Sequence, residues 1–261
     1  MKVLLSIQYD GKNYHGWQEQ KTPDTVQGKL QTAIYDFSRE KVKLYVAGRT
    51  DSGVHALSQY AHFETNTKRD ENSWLLGLNS LLPSDIRINF IKFMDSKFHA
   101  RFSALSRTYR YVIYNHKIKP CLNRNKVGWY YLHHLDEKKM QVAAKNLIGE
   151  KDFSCFRSAH CQSKSPIKNI NDIIITRENN FILIDVNANS FLYNMVRNIV
   201  GTLVMIGSGE KEVLWIKELL ASKDRTKAGK QFPPEGLFLI DIEYDEKYNL
   251  NYKPKLQIIY E

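Results

Sequence analysis

Leu44-Tyr45-Val46-Ala47-Gly48-Arg49-Thr50-Asp51-Ser52-Gly53-Val54-His55-Ala56 runs from strand-forming residues into a polar loop bracketed by two glycines. Leu44, Tyr45 and Val46 favour a pleated strand, and Gly48 and Gly53 admit backbone conformations closed to other residues. If the chain stays extended as far as Asp51, side chains two apart share a face, so Arg49 and Asp51 project together. A carboxylate and a guanidinium then arrive in one place. Two readings fit the residues alone. Asp51 bonds its own backbone in a turn with Arg49 as a surface partner, or the pair is delivered to a reacting group.

Upstream of this stretch, Val3 to Tyr9 alternates like a strand and stops at the turn pair Asp10-Gly11. Thr22-Pro23-Asp24-Thr25 reads as a helix entrance, and Val26, Leu30, Ala33, Ile34 and Phe37 follow at helical spacing. Downstream, Gln59 to Thr65 reads as a strand, Ser73 to Leu81 as a helix ended by Pro83, and Asp85 to Met94 as a strand. After residue 105 a similar succession returns. Arg107-Thr108-Tyr109-Arg110-Tyr111-Val112-Ile113-Tyr114 is β-branched and aromatic, and on an extended chain Arg107, Tyr109 and Tyr111 face one side. Asp136 to Ile148 is amphipathic and stops at Gly149, and Ile173 to Thr176 with Phe181 to Asn187 forms a hairpin around Glu178-Asn179-Asn180. Leu192, Met195, Val196, Ile199, Val200 and Leu203 make a wide apolar helical stripe with Arg197 in its middle. That guanidinium either snorkels to water or is buried against a carboxylate, because a desolvated unpaired charge costs several kcal/mol. Lys211 to Ser222 is a further helix and Leu237 to Tyr244 the last strand. The pattern predicts an α+β protein of two similar halves, residues 1–105 and 106–261, although no sequence repeat joins them.

Composition narrows the function classes. The 261 residues are 43% hydrophobic and 12% aromatic, enough for packed cores, and the formal charge of +10 points to a polyanionic partner, nucleic acid first. Phe98-His99-Ala100-Arg101-Phe102 interleaves aromatic and basic groups that can stack on bases and pair with phosphates. The alternative there is two core phenylalanines with a solvated Arg101 between them. Cys121, Cys155 and Cys161 contain no Cys-x-x-Cys pair, and Cys155, His160 and Cys161 do not have zinc-ligand spacing, so reduced thiols and no metal are expected. Met1 to Ile7 is too short for a signal h-region and no apolar run would span a bilayer, which leads us to expect a cytoplasmic protein. Neither a phosphate-cradling Gly-x-x-x-x-Gly-Lys nor a dinucleotide fingerprint appears.

Three stretches in order carry a resemblance. Gly48 to Ala56 resembles the signature loop of the tRNA pseudouridine synthase A family, departing from it at Ser52, where the family more often has Ala. Arg107 to Tyr114 is similar to the family's second motif, and Phe191-Leu192-Tyr193-Asn194-Met195-Val196-Arg197-Asn198-Ile199-Val200-Gly201 to its third. Lys230-Gln231-Phe232 departs from it, since Thr-Ala often precedes the proline pair in the family, so no contact is carried over to those residues. The resemblance implies two ferredoxin-like halves with antiparallel sheets joined across a central basic cleft. It implies a homodimer that isomerises uridine to pseudouridine at positions 38, 39 and 40 of tRNA, without a cofactor. Asp51 is the implied nucleophile, Arg197 its ion-pair partner, and Tyr109 the ring against the substrate uracil. Implied RNA contacts are Arg49, Arg69, Phe98, His99, Ala100, Arg101 and Phe102, with His160, Cys161, Gln162, Ser163 and Lys164. His55 is expected to shape the loop. Two rival functions stay open on the residues themselves. One is a non-catalytic RNA-binding module; the other is a glycosidase-like hydrolase, which would ask for a second positioned carboxylate.

Overall fold

The computed structural model describes residues 1–20, 24–159, 161–250 and 252. In chain order its elements are β1 (Lys2–Tyr9), α1 (Val26–Ser38), β2 (Tyr45–Val46), β3 (His55–Glu64), α2 (Glu71–Leu81), β4 (Ile86–Met94) and β5 (Ala104–Asn115). These are followed by β6 (Gly128–Tyr130), α3 (Glu137–Ala144), β7 (Gly149–Asp152), β8 (Ile167–Glu178), β9 (Phe181–Ala188), α4 (Met195–Gly207), α5 (Trp215–Ser222) and β10 (Leu237–Tyr244). The chain forms two compact units, with the boundary between Leu105 and Ser106. From Phe238 the chain returns to the first unit, so β10 does not stay with the 106–261 half in which the sequence reading placed it.

In the first unit β1 lies between β3 and β4, antiparallel to both, with Ile7 opposite Gln59 and Lys2 opposite Met94. The short β2 pairs with β3 through Tyr45–His62 and Val46–Ala61. The strand order β4-β1-β3-β2 with a helix in each crossover is the ferredoxin-like βαββαβ arrangement. β10 adds a parallel pairing at the other end of β3, Phe238 beside His55 and Leu239 beside Ala56, so this sheet is mixed where an antiparallel one was expected. Those ladders, with Tyr9 opposite Ala56, explain why β3 begins at His55, four residues before the expected Gln59. The helices supply one core, in which the Trp74 ring meets Phe37 and Phe63 at centroid distances of 5.0 and 5.4 Å. Both helices begin where a polar side chain takes an orphan amide: Thr25 Oγ1 accepts from Gly28 N and Asp70 Oδ1 from Ser73 N. Thr22 and Pro23 of the expected entrance lie outside the described residues.

In the second unit β9 lies between β5 and β8, antiparallel to both, and β7 follows β8. β5 also takes the short β6 in parallel. Met140, Ala143 and Leu147 from the α3 segment and Ile199, Leu203 and Ile206 from α4 are fully buried. Two helices start later than their apolar pattern suggests. Asn194 has φ +59, a left-handed conformation that cannot continue an α-helix, so Tyr193 and Asn194 form a turn closed by Met195 N donating to Leu192 O, and α4 begins at Met195. Lys211 to Leu214 are likewise taken up in turns before α5. Among the described residues no helix is long and apolar enough to cross a membrane and no group of His, Cys, Asp or Glu is arranged to hold a metal.

Candidate active site and nucleic-acid interface

The loop between β2 and β3 is fixed from below and from the side. Thr50 is buried, as are Ala47 and Val54; its hydroxyl meets the buried Tyr9 phenol at 2.7 Å and its carbonyl accepts from Trp17 N at 3.1 Å. Arg49 on one side is exposed and Asp51 on the other half-buried, the alternation expected of a chain that is still extended there. Gln59 Nε2 donates to Gly48 O at 2.6 Å, and Val54 N donates to Asp51 O at 3.1 Å, closing a turn through Gly53 at φ +77. Ser52, the departure from the family pattern, donates its hydroxyl to Tyr14 O at 3.2 Å and so helps to hold the loop. Burial pushes the Tyr9 phenol up to about 12, hydrogen bonds to Thr50 and Gln59 oppose this, and the charge of Asp51 adds to it. His55 is the first residue of β3 and is buried. Its Nδ1 accepts from Gly11 N at 3.0 Å and its ring stacks on Phe238 at 4.8 Å, so it anchors the loop's exit.

In the second unit Tyr109 and Tyr111 share a face of β5, opposite Val186 and Ile184 of β9. Tyr109 is 8% exposed and meets Phe191 edge-on at 5.1 Å. Tyr111 is fully buried, donates to Pro233 O at 2.7 Å and meets Phe232 edge-on at 5.7 Å. Phe232 O in turn accepts from Arg197 Nε at 2.7 Å, so Tyr109 and the segment that holds Arg197 lie on one side of this unit's sheet. Arg197 is half-buried, and its Nη1 donates to Asn194 Oδ1 at 3.0 Å. The next residue, Asn198, is fully buried yet satisfied: Nδ2 donates to Phe156 O at 2.8 Å, and Oδ1 accepts from Arg225 at 2.8 Å.

The candidate RNA contacts divide by exposure. Phe98 and Ala100 are fully buried, so within the run implied to contact RNA the first phenylalanine is a core residue. Phe98 is withdrawn because its ring packs against His62, Tyr244 and Tyr248, and Ala100 because its amide donates to His62 Nδ1 and its carbonyl accepts from Tyr244. Phe102 is 76% exposed, and His99 and Arg101 stand beside it. They extend into a group that linear reading missed. Tyr45 stacks on His62 at 5.0 Å and 16°, His99 meets both rings, and Lys43 lies 5.1 Å over Tyr45. The missing signal is the cross-strand pairing of Tyr45 with His62. Burial first, then the nearby His99 and Lys2, lowers the His62 imidazole from 6.5 to about 4, so at neutral pH it joins the group as an uncharged ring.

Arg69 is exposed, with its guanidinium 4.8 Å over the Phe37 ring at the entrance to α2. Gln162 and Lys164 are exposed and Cys161 and Ser163 half-buried, in a loop that Arg157 braces by donating to the carbonyls of Cys161 and Ser163. Burial raises the Cys161 thiol, but bonds from the Tyr193 and Ser163 amides and from Arg157 outweigh it and leave the pKa lowered. His160 lies outside the described residues.

Residues 5–103 and 143–245 match the family model described as tRNA pseudouridine synthase. The chain is 47% identical over 258 residues to the tRNA pseudouridine synthase A of Shewanella sp. (strain MR-4), covering 99% of this chain and 97% of the relative. It is 48% identical over the same length to that of Shewanella woodyi, with the same coverage. A solved structure described as a Cbf5-Nop10-Gar1 complex aligns over 78% of this chain and 45% of that one at 12% identity and a TM-score of 0.37, a likeness too remote to inform fold or function.

Proposed function

From the premise that this chain belongs to the tRNA pseudouridine synthase family, as an isomerase acting on tRNA uridine, we propose that it converts uridine to pseudouridine at positions 38, 39 and 40 of the anticodon arm, with Asp51 as nucleophile and no cofactor. The supporting observation is the Asp51 loop: its backbone is tied down on both sides while the carboxylate stays half-exposed. The reaction breaks the C1′–N1 bond, turns the uracil and joins C5 to C1′; N1 gains a proton and C5 loses one. Atoms and electrons balance within the nucleotide, so the chemistry asks for no redox partner or phosphoryl donor. Asp51 attacks the nucleotide, at the sugar or at the base, and Arg197 supplies the positive charge that keeps a nucleophilic carboxylate ionised. Tyr109 packs against the uracil. Its burial and ring contact with Phe191 suit a wall better than a proton relay, since an ordinary phenol is a weak base at neutral pH.

The target base must leave its stack at a cost of a few kcal/mol, which backbone contacts offset. Arg49, Arg69, Arg101 and Lys164, all exposed, are the cations for that role. Exposed Phe102, next to the Tyr45–His62–His99 rings, is a stacking surface for an unpaired base. Base–aromatic stacking is worth ~1–3 kcal/mol, so Phe102→Ala should weaken tRNA binding about 5- to 150-fold in fluorescence anisotropy while the turnover of bound tRNA holds. Unchanged affinity would remove the ring from the interface.

The functional reading itself is tested by incubating the protein with an unmodified tRNA transcript and analysing the nucleosides site by site. Pseudouridine at 38, 39 and 40 is expected. Free uracil would instead establish a hydrolase, and tRNA bound but unmodified a binding module; pseudouridine confined to other positions would assign a different target. The homodimer belongs to the same proposal, and light scattering of that preparation should give twice the chain mass.

A further inference from the structure

The segment Lys230-Gln231-Phe232, where the sequence departs from the family pattern, meets Arg197 through the Phe232 carbonyl and the Gln231 side chain. It is seated on α4 by two glycines. A Cβ at Gly229 would stand 2.5 Å from the carbonyl carbon and oxygen of Gly201, and one at Gly201 would overlap the Lys230 carbonyl. Gly229 N donates to the buried Thr202 hydroxyl at 3.0 Å, and Phe232 N donates to Arg197 O at 3.1 Å. A few residues further on, the Pro233 carbonyl is held by the Tyr111 phenol and the Phe232 ring by the Tyr111 ring. The backbone on either side of Gln231 is therefore anchored, to α4 before it and to β5 after it.

Gln231 itself is exposed. With its amide oriented by its hydrogen bonds, Oε1 accepts from both Nη1 and Nη2 of Arg197 at 2.7 Å. Together with Phe232 O on Nε and Asn194 Oδ1 on Nη1, this oxygen meets a planar fork that has five donors in fixed directions. All three acceptors are uncharged. They fix the plane of the guanidinium without neutralising it, whereas a carboxylate at the same place would do both.

We propose that Gln231 is a positioning residue: its side-chain oxygen, with the Phe232 carbonyl, sets the orientation of the Arg197 guanidinium while leaving its charge for the reaction. This rests on the catalytic reading of Arg197 given above. Because Gln231 is exposed and its anchoring neighbours bond through backbone, removing the amide leaves the packing intact.

Gln231→Met, which keeps the length and removes the acceptor, is expected to lower single-turnover kcat about 10- to 100-fold, the scale of a small misplacement of a reacting group, with KM for tRNA within about twofold and an unchanged melting temperature. The same substitution made in an Arg197→Lys background, where no planar fork remains to be oriented, should cost less than about threefold. A merely structural role would lower stability and cost the same in both backgrounds, and that outcome, or wild-type kcat for Gln231→Met, overturns the inference. Gln231→Glu keeps an acceptor but opposes the charge, and should also lower kcat. If Gln231→Met does not fold, an undiminished kcat for Gln231→Glu overturns the inference instead. Asp51→Asn run alongside separates the two levels. If it stays active, the catalytic reading fails. If it is inactive while Gln231→Met behaves as wild type, only the role of Gln231 fails.

Discussion

Asp51→Asn is expected to reduce turnover by about a thousandfold or more while tRNA affinity stays within about threefold. The substitution is nearly isosteric and removes only the charge and the nucleophilic lone pairs. The hydrogen bonds that tie down the loop's backbone are made by other groups. Thr50 is held by Tyr9 and Trp17, Gly48 by Gln59, Ser52 by Tyr14, and the turn closes through the Asp51 carbonyl. The loop should therefore keep its shape, and binding, which the proposed function assigns to surface cations and exposed rings, should persist. The measurement is tritium release from tRNA labelled at uridine C5, paired with anisotropy for binding. Substantial residual release would take Asp51 out of the chemistry. Loss of binding in step with turnover would instead make it a binding residue.

Gly201→Ala should be the most damaging single methyl group in the second unit. The new Cβ would overlap the backbone carbonyl of Lys230, and a backbone oxygen cannot swing aside as a flexible side chain can. α4 has little room to retreat, because Met195, Ile199, Leu203 and Ile206 are fully or almost fully buried. The segment from Gly229 to Phe232 must lift instead, stretching the Gly229–Thr202 and Phe232–Arg197 hydrogen bonds. Overpacking of this kind costs ~1–3 kcal/mol, and the strained bonds add to it. A lower denaturant midpoint at unchanged slope is expected, together with a fall in kcat beyond that of Gln231→Met, since both the segment and the guanidinium it orients are displaced. Wild-type stability would mean that the two backbones do not approach as closely as described.

Much of the architecture can be read along the chain, because the strands and helices of both units carry their own periodicities and caps. Thr25, Asp70 and Asp136 each stand where a helix needs an acceptor, and each accepts there. The three motifs likewise lie on elements of the expected kind, a strand-to-loop passage, a strand and a helix. What escaped notice depends on partners distant in sequence. The start of β3 is set by Tyr9 and Phe238, and the ring cluster by the register that places Tyr45 against His62. Phe98 and Phe102 look alike in the sequence, yet one is core and the other surface, because Tyr244 and Tyr248 close over the first. The start of α4 differs from its apolar pattern for a local reason: apolar spacing does not report that Asn194 adopts a left-handed backbone. Lys230 to Phe232 escaped because its contribution comes from carbonyls, an amide and two glycines, none of which forms a pattern of residue types.

The return of β10 to the first unit has a consequence for biosynthesis. Phe238 covers His55 and Leu239 is laddered to Ala56 at the exit of the Asp51 loop, yet more than 130 residues of the second unit are translated in between. On the ribosome the N-terminal unit must wait for that final strand, a contact of very large sequence separation and hence a slow one to close. Nascent chains shorter than about 240 residues therefore carry the whole signature loop but lack the strand that props it.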